Sequence, residues 1–197
     1  MSEPNTRFIL ASASPRRVEI LRTLGLDFAV RASEVDERLI QGESPQHYVM
    51  RAATAKAEAV ARHVKTGIVI AADTEVVIDG LPLGKPEDEE DAARMLKAIS
   101  GRWHAVMTGV AVVDVESGRS AVDHEKTLVR FRDLSESEIH AYIASGEPSD
   151  KAGAYAIQGR GMLFVTEIAG NYQNVVGLPV PLLERLVRQI GAHLYPE

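Results

Sequence analysis

The segment FILASASPRR, residues 8–17, changes chemical character twice within ten positions. Three apolar residues come first, small polar residues follow, and Pro15 then precedes two arginines. The apolar residues predict a short buried strand over 8–10. Ser14 suits the N-cap of a helix, and Pro15 suits its first position, where a missing N–H is tolerated. The segment therefore predicts a strand that leads directly into a helix ending near Leu24.

The start of this predicted helix collects groups that bind anions. Ser12, Ser14, Arg16 and Arg17 lie there, next to unpaired N–H groups and the positive end of the helix dipole. Hydroxyl and guanidinium donors in that position favour a phosphate-binding site. A capped helix with two solvated arginines explains the same residues equally well, so the segment alone leaves both readings open. The sequence contains neither a Walker loop nor a GxGxxG segment that opens a helix.

Strand and helix patterns are mixed along the rest of the chain. Apolar runs predict strands over 28–31 and from 68 into a hairpin, and two long strand-like runs flank a turn at 116–119. Glycines alternate with β-forming residues over 153–168. Cap signals and amphipathic spacing predict helices over 44–64, 87–100, 135–144 and 182–190. The antiparallel pair in the middle favours a mixed α/β sheet over a purely parallel one.

Composition limits the class of protein. The 197 residues are enough for one α/β domain or two small lobes, and the 45% hydrophobic and 25% charged content is typical of globular proteins. A net charge of -6 argues against a nucleic-acid-binding protein. No apolar run is long enough for a membrane span, and residues 1–6 lack the pattern of a signal peptide. The absence of cysteine excludes disulfides and thiol chemistry and fits a reducing compartment, so we expect a cytoplasmic protein. The charge and the lack of a long apolar run predict no nucleic-acid partner and no membrane.

Asp73 is the first candidate catalytic residue. It lies in AADTEV, where an apolar strand gives way to polar residues, and strand ends carry the catalytic groups of many α/β proteins. An aspartate that begins a turn is the alternative. If the side chain is buried, it needs a metal, a cation or hydrogen bonds, because an isolated buried carboxylate is costly.

Other charged groups are ambiguous when taken singly. Glu34, Asp36 and Glu37 in SEVDER are most simply a solvated acidic loop. Lys85 lies in GKP, which predicts a rigid turn that would hold the lysine at one point. Lys56 lies among alanines in TAKAEA, which permits close packing of another element, although a lysine that reaches solvent is the commoner case.

Six motifs follow one another along the chain: LASASPRR, EVDE, AADT, GKP, SGEPSDKAGAYAIQG and VVGLPV. In this order they resemble the Maf family of nucleoside triphosphate pyrophosphatases, and the likeness extends from about Phe8 to the final helix. The resemblance implies an α/β fold with a long mixed sheet, flanking helices and two lobes around a central cleft. It also implies that residues 1–197 form a single domain of this kind.

The family reaction converts a nucleoside triphosphate and water into a monophosphate and pyrophosphate, with a divalent metal cation, Mg²⁺ or Mn²⁺. The resemblance makes Asp73 the proton acceptor for a water that attacks the α-phosphorus, and makes Glu37, Lys56 and Lys85 further catalytic residues. Glu37 and Asp73 would bind the metal, since Mg²⁺ combines one or two carboxylates with substrate phosphates. Neutralisation of the phosphates is implied for four residues, namely Ser12, Arg17, Lys56 and Lys85.

The resemblance also implies which residues select the nucleobase, namely Arg16, Thr74 and Gln158. These residue types are typical of the branch that acts on dTTP and UTP, whereas the branch acting on 7-methyl-GTP typically has Trp, Gln and Glu. The Gln158 amide carries a donor and an acceptor, so it can pair with the O4 and N3–H edge shared by uracil and thymine. Without the resemblance, Gln158 is more simply a polar residue in a hairpin. Ala156 departs from the glycine common in the family and would narrow the pocket beside Gln158.

Functions of other classes fit parts of this pattern. A nucleotide-sensing module would need the phosphate-binding residues but not Asp73 and Glu37 together, and a phosphomonoesterase would release orthophosphate. A structural interaction domain would leave the charged motifs unexplained. The family is also associated with inhibition of septum formation, so the resemblance implies a role in cell-division arrest. It further implies removal of modified pyrimidine nucleotides and a homodimer.

Overall fold

The structure is a computed structural model that describes residues 7–33, 35–36 and 38–195. Within these residues, a seven-stranded sheet is accompanied by six α-helices. No helix in the described ranges is both long and apolar enough to cross a membrane. The strands are β1 (Phe8–Leu10), β2 (Phe28–Val30), β3 (Ile68–Ile78), β4 (Leu81–Pro82), β5 (Trp103–Asp114), β6 (Ser120–Phe131) and β7 (Val165–Ala169). The helices are α1 (Pro15–Thr23), α2 (Pro45–Ala61), α3 (Glu89–Ile99), α4 (Glu136–Ile143), α5 (Tyr172–Val176) and α6 (Val180–Gln189).

The sheet is mixed, which confirms the predicted fold class. Its strand order is β2-β1-β3-β5-β6-β7, with β4 paired to β3. β1 runs parallel to both of its neighbours, so that Leu10 lies opposite Val30 of β2 and Ile70 of β3. β4 and β7 pair antiparallel with β3 and β6. Because parallel strands point the same way, the residues that follow β1 lie at the same edge as those beyond Ile70.

The predicted turn from strand to helix at the start of the chain is confirmed. β1 is buried, and α1 begins at Pro15 with Ser14 in the N-cap position. The Ser14 side chain makes no capping hydrogen bond. Instead, the Ser14 N–H donates to the Ser12 hydroxyl at 3.2 Å. Ser12 therefore orders the turn, and Gly25 follows α1 with the positive φ of +68° that glycine tolerates.

Two parts of the chain differ from the predicted elements. β3 is not one of them, because it runs past Asp73 to Ile78 and pairs antiparallel with β4, which confirms the predicted strand and hairpin; the alternative that Asp73 begins a turn is wrong. Residues 147–164 form three short 3₁₀ turns rather than extended structure, and Gly153 with a φ of +66° lies in one of them. α5 has five residues, which is too short for a helical period to be recognised in the sequence. Both differences arise in short segments, which carry no repeating sequence pattern from which the backbone conformation could be predicted.

Tertiary contacts divide the chain into two compact units, and the boundary passes within β3, β5 and β6. The first unit contains the described residues up to Asp73, together with Thr108–Glu125 and those from Gly177 onward. The second unit contains Thr74–Met107 and Lys126–Val176. Each unit has a buried core of its own.

In the first unit, helices cover both faces of the sheet. Alternate residues of a strand face opposite sides. Phe8 and Leu10 accordingly join a core that includes Leu21 of α1 and Leu183 of α6. Ile9 contributes to a second core, on the side of α2. β1 is therefore buried on both faces, as expected of a central parallel strand.

α2 packs against the sheet of the first unit through small side chains. Ala53 and Ala57 are buried there. A Cβ at Gly109 of β5 would lie 2.2 Å from the Val49 carbonyl oxygen, so the helix backbone contacts the strand where only glycine fits. Lys56 also belongs to the buried residues of α2. The Lys56 side chain therefore lies on the buried face of α2.

An aromatic cluster forms part of the core of the second unit. The His104 ring meets the rings of Phe131 and Tyr155 edge-on, with centroid distances of 5.0 and 5.3 Å. Its Nε2 atom is 2.8 Å from the Tyr155 hydroxyl, and its Nδ1 has no hydrogen-bond partner in the part of the chain that the structure describes. Burial lowers the pKa of His104 from 6.5 to about 4. The imidazole is therefore neutral at pH 7.

Candidate active site

Asp73 and Lys56 form a buried ion pair in the first unit. The Lys56 Nζ lies 2.6 Å from Asp73 Oδ1, and the two side chains are only 10% and 9% exposed. The ammonium donates a hydrogen bond and supplies the opposite charge that a buried carboxylate requires. The prediction that a buried Asp73 needs such a partner is confirmed. The expectation that Lys56 reaches solvent is wrong, because α2 presents this residue on its packed face.

Ser12 and Arg17 form a second buried polar cluster in the same unit. The Arg17 Nη1 donates to Ser12 Oγ at 3.1 Å, and its Nε donates to the Gly177 carbonyl oxygen at 2.8 Å. Both hydrogen bonds orient the guanidinium within the buried cluster. The reading of two solvated arginines is therefore wrong for Arg17, which is buried. Arg16, the preceding residue of α1, is half-buried.

The register of the parallel strands relates the two clusters. Leu10 of β1 lies opposite Ile70 of β3. Ser12 comes two residues after Leu10, and Asp73 comes three residues after Ile70. Ser12 thus follows the carboxyl end of β1, and Asp73 lies just beyond the level of that end, within the longer neighbouring strand β3. Ligands of α/β proteins commonly bind beyond the carboxyl ends of strands. Four of the predicted residues belong to these two clusters of the first unit: Ser12, Arg17, Lys56 and Asp73.

The acidic segment SEVDER is described only in part. The predicted metal ligand Glu37 lies outside the described residues, and so does Glu34. Asp36 is exposed, and the Arg38 Nη2 donates to its Oδ2 at 2.6 Å. Hydrogen bonds from the Arg38 side chain, followed by the Arg38 N–H, lower the pKa of Asp36 to about 2. Asp36 is therefore an ionised side chain bound to its neighbour, in agreement with the predicted solvated loop.

Asp73 supplies the kind of ligand that a magnesium ion requires. Within the described residues, no three His, Asp or Glu side chains form a group that could hold a metal ion. Mg²⁺ is commonly bound by one or two carboxylates, with waters and substrate phosphates as its other ligands. The buried Asp73 carboxylate fits that role through the oxygen chemistry of its side chain.

Lys85 lies in the second unit, next to a firmly held glycine. Gly84 has a φ of +70°, its N–H donates to Glu75 Oε1 at 2.9 Å, and its carbonyl accepts the Gly153 N–H at 2.8 Å. Lys85 itself is exposed. Lys85 lies in a bend, and the rigid hold on its side chain stays a prediction. Sequence reasoning missed Glu75, which is buried and accepts the Gly84 N–H.

The other specificity candidates of the second unit occupy different elements. Thr74 follows Asp73 within β3 and is half-buried. Gln158 is exposed in a turn between two 3₁₀ segments, so the hairpin alternative is wrong. Glu147 holds this turn by accepting backbone N–H groups that follow Gln158. Sequence reasoning gave Glu147 no role, although it belongs to the motif SGEPSDKAGAYAIQG.

The fold resembles that of a solved structure, the Staphylococcus aureus Ham1 protein. The TM-score is 0.55, and the match covers 92% of this chain and 98% of that chain. The two sequences are 14% identical, so the likeness concerns the fold alone. The protein is thus a mixed-sheet α/β protein of the Ham1 fold, with a buried carboxylate–lysine pair whose aspartate belongs to the interior strand β3.

Sequence comparison identifies the family. A family model described as Maf-like protein matches residues 7–190, and the chain belongs to this family. It is 50% identical over 192 residues to a protein of Geotalea uraniireducens, and this alignment covers 98% of this chain and 99% of the relative. It is also 49% identical over 190 residues to a protein of Moorella thermoacetica, with an alignment that covers 96% of this chain and 98% of that relative. Both relatives are named dTTP/UTP pyrophosphatase, and the family resemblance of the six motifs is confirmed.

Proposed function

We propose that the protein is a nucleoside triphosphate pyrophosphatase that hydrolyses dTTP and UTP to the monophosphate and pyrophosphate. The Maf-like family and the names of the two relatives support this activity. The structural observation that carries the proposal is the buried pair of Asp73 and Lys56, 2.6 Å apart, in the same unit as the buried cluster of Ser12 and Arg17. A carboxylate beside fixed positive groups suits the attack of water on a polyphosphate.

Asp73 accepts a proton from the attacking water in this proposal. Lys56 donates to Oδ1 and so fixes the orientation of the carboxylate relative to the water. Proton transfer to a carboxylate is efficient only when its oxygen lies within hydrogen-bond reach of the water, so this orientation matters for the rate. The buried lysine also stabilises the negative charge that develops on the phosphate oxygens.

The phosphates are bound by the positive groups that the chain holds in place. Arg17 is fixed by the Ser12 hydroxyl and the Gly177 carbonyl. A guanidinium that hydrogen bonds already hold in place loses little conformational freedom when it binds an anion. Lys85 is exposed next to Gly84, whose N–H is held by Glu75, and its ammonium is the second proposed phosphate ligand. Each of these charges is expected to bind phosphate oxygens regardless of the base.

A divalent cation, Mg²⁺ or Mn²⁺, belongs to this proposal, with Asp73 and Glu37 as its protein ligands. When bound, it would polarise the phosphate oxygens and lower the pKa of a water molecule. Asp73 supports this role because its carboxylate is buried and ionically paired, so the chain fixes an oxygen ligand before substrate arrives. The remaining ligands would come from the substrate phosphates and water.

Product identification tests the proposed function. The protein is incubated with dTTP, UTP, CTP, GTP and modified pyrimidine nucleotides, each with Mg²⁺ or Mn²⁺, and the products are separated by anion-exchange chromatography. We expect pyrophosphate and the monophosphate, with ¹⁸O from labelled water in the monophosphate because water attacks the α-phosphorus. Orthophosphate would identify a phosphatase. Tight nucleotide binding without any product would identify a sensing module.

Removing a phosphate-binding charge should impair the use of every nucleotide. We expect Arg17→Ala and Lys85→Ala each to lower kcat/KM about ten- to a hundredfold for dTTP, UTP, CTP and GTP, since a charged hydrogen bond contributes about 1.5–3 kcal/mol. Arg22→Ala and Lys65→Ala are matched controls, because both residues are exposed and outside the site. A change in base preference with undiminished use of dTTP would contradict the phosphate role.

Removing the Gln158 amide should flatten the base preference. Because a site that pairs with polar base atoms discriminates through unsatisfied groups, we expect Gln158→Ala to lower kcat/KM for dTTP and UTP by at least about tenfold. The values for CTP and GTP should change much less. Gln173→Ala is the matched control, as Gln173 is an exposed glutamine of the same unit. Equal losses for all four nucleotides would mean that Gln158 has a structural or catalytic role instead.

A further inference from the structure

The turn 156–161, which carries Gln158, is held by a side chain from outside the turn. The Glu147 Oε2 accepts the N–H of Arg160 at 2.9 Å, and its Oε1 accepts the N–H of Gly161 at 3.2 Å. Both oxygens are therefore used by the backbone that follows Gln158. One carboxylate fixes two consecutive peptide groups, which limits how far the turn can move.

The start of the same turn is connected to Glu147 through a tyrosine. The Tyr142 hydroxyl donates to Glu147 Oε1 at 2.8 Å and accepts the N–H of Ala156 at 3.1 Å. Tyr142 belongs to α4 and is buried, with its ring edge-on to Phe164 at a centroid distance of 5.0 Å. The hydroxyl is thus held by a packed ring. Both ends of the turn are bound to one pair of side chains.

The Glu147 carboxyl group can accept hydrogen bonds from all three of its donors because it is ionised. Burial raises its pKa, but the Arg160 N–H, the Tyr142 hydroxyl and the Gly161 N–H outweigh this effect, and the pKa lies below its ordinary value. An ionised carboxylate offers only acceptors, so it can accept all three hydrogen bonds. A glutamine of the same shape would present an NH₂ group to at least one of these donors.

Gly159 provides independent evidence that the carboxylate is closely packed against the turn. A Cβ at this position would lie 2.3 Å from Glu147 Oε2 and 2.4 Å from Oε1. The turn residue directly after Gln158 therefore lacks a side chain at the point where the carboxylate contacts it. Any larger residue there would displace Glu147 or the turn.

We propose that Glu147, together with Tyr142, is a positioning residue that determines nucleobase selectivity by fixing the turn that carries Gln158. This inference rests on the proposed function, in which Gln158 contacts the base. Glu147 itself touches backbone groups of the turn and acts on the substrate only through Gln158. Its loss therefore changes which nucleotide is preferred and leaves the phosphate chemistry in place.

The test compares nucleotide preference in variants of the full-length protein. The ratio of kcat/KM for dTTP to that for CTP is measured in the wild type, Glu147→Gln, Tyr142→Phe and Gln158→Ala. We expect Glu147→Gln to lower this ratio roughly tenfold, mainly through a higher KM for dTTP, and Tyr142→Phe to lower it severalfold. Because both values come from one preparation, the ratio does not depend on the fraction of enzyme that is folded.

A double variant shows whether Glu147 acts through Gln158. In Gln158→Ala the ratio is already low, so we expect the added change Glu147→Gln to lower it by less than about twofold. A further large decrease would overturn the proposal, because Glu147 would then act by another route. An unchanged ratio in both Glu147→Gln and Tyr142→Phe, or equal losses for dTTP and CTP, would overturn it as well.

The controls separate this inference from the proposed function. Glu136→Gln changes an exposed glutamate of α4 that pairs with Lys97, and it should leave the ratio unchanged. If Gln158→Ala keeps the wild-type preference, the proposed base contact of Gln158 is wrong and the role of Glu147 is overturned with it. If Gln158→Ala flattens the preference and Glu147→Gln does not, only the role of Glu147 is overturned.

Discussion

Asp73→Asn is expected to lower kcat for dTTP by about 10²–10⁴-fold, the usual loss when a general base is removed. Asparagine keeps the shape of the side chain, and its amide oxygen can still accept the Lys56 hydrogen bond. It has no carboxylate to take the proton of the attacking water. Binding of dTTP should persist, because the phosphate-binding residues are unchanged and one negative charge has been removed.

The measurement combines steady-state kinetics with calorimetric titration of dTTP. Titration also gives the fraction of competent sites, which matters because removing the carboxylate charge beside the buried Lys56 destabilises the fold. Asp79→Asn is a matched control, since Asp79 is exposed just after β3 and its φ of +52° is a conformation that asparagine tolerates. Near-wild-type turnover of Asp73→Asn would rule out Asp73 as the base.

Acid should destabilise the protein through His104. The unfolded chain takes up a proton near pH 6.5, whereas the folded imidazole does so only near pH 4, because burial lowers its pKa. The unfolded state therefore binds more protons between these values, and the free energy of unfolding decreases as the pH falls from about 6.5 to about 4. The difference between the two pKa values corresponds to about 3 kcal/mol.

Urea unfolding at several pH values between 7 and 4 tests this expectation in the wild type and in His104→Gln. Titrating carboxylates affect both proteins, so the informative quantity is the difference between their pH profiles. We expect the wild type to lose about 3 kcal/mol more than the variant over this range. His140→Gln, at an exposed position of α4, should follow the wild-type profile. Parallel profiles for wild type and His104→Gln would contradict the assignment.

Local sequence signals were sufficient for most of the fold. The apolar run before Pro15 and the capping box at Ser135 predict β1, α1 and the start of α4, because each depends on residues within a few positions of one another. β3 is different. Its extent and the hairpin after it follow from the sequence, but the burial of Asp73 and Glu75 within the strand depends on tertiary packing.

The sequence predicted which residues belong to the site but not which of their side chains contact each other. Lys56 and Asp73 lie 17 residues apart, and nothing in either segment indicates that their side chains meet. The packing of α2 against the sheet decides this contact, and the close approach at Gly109 is visible only in three dimensions. The role of Glu147 in holding the turn 156–161 was hidden for the same reason, since the Glu147 carboxylate accepts N–H groups 13 and 14 positions further along the chain.

The hydrogen bond from Arg17 to the Gly177 carbonyl joins residues that are 160 positions apart. Contacts of such long sequence separation form late, because a long loop must close before they contribute any stability. During synthesis on a ribosome, the guanidinium is made early and remains without this acceptor until almost the whole chain has emerged. The nascent protein thus carries its first motif long before that motif can reach its final geometry. A chain interrupted before Gly177 would contain nearly all of the charged residues and still lack the ordered arginine.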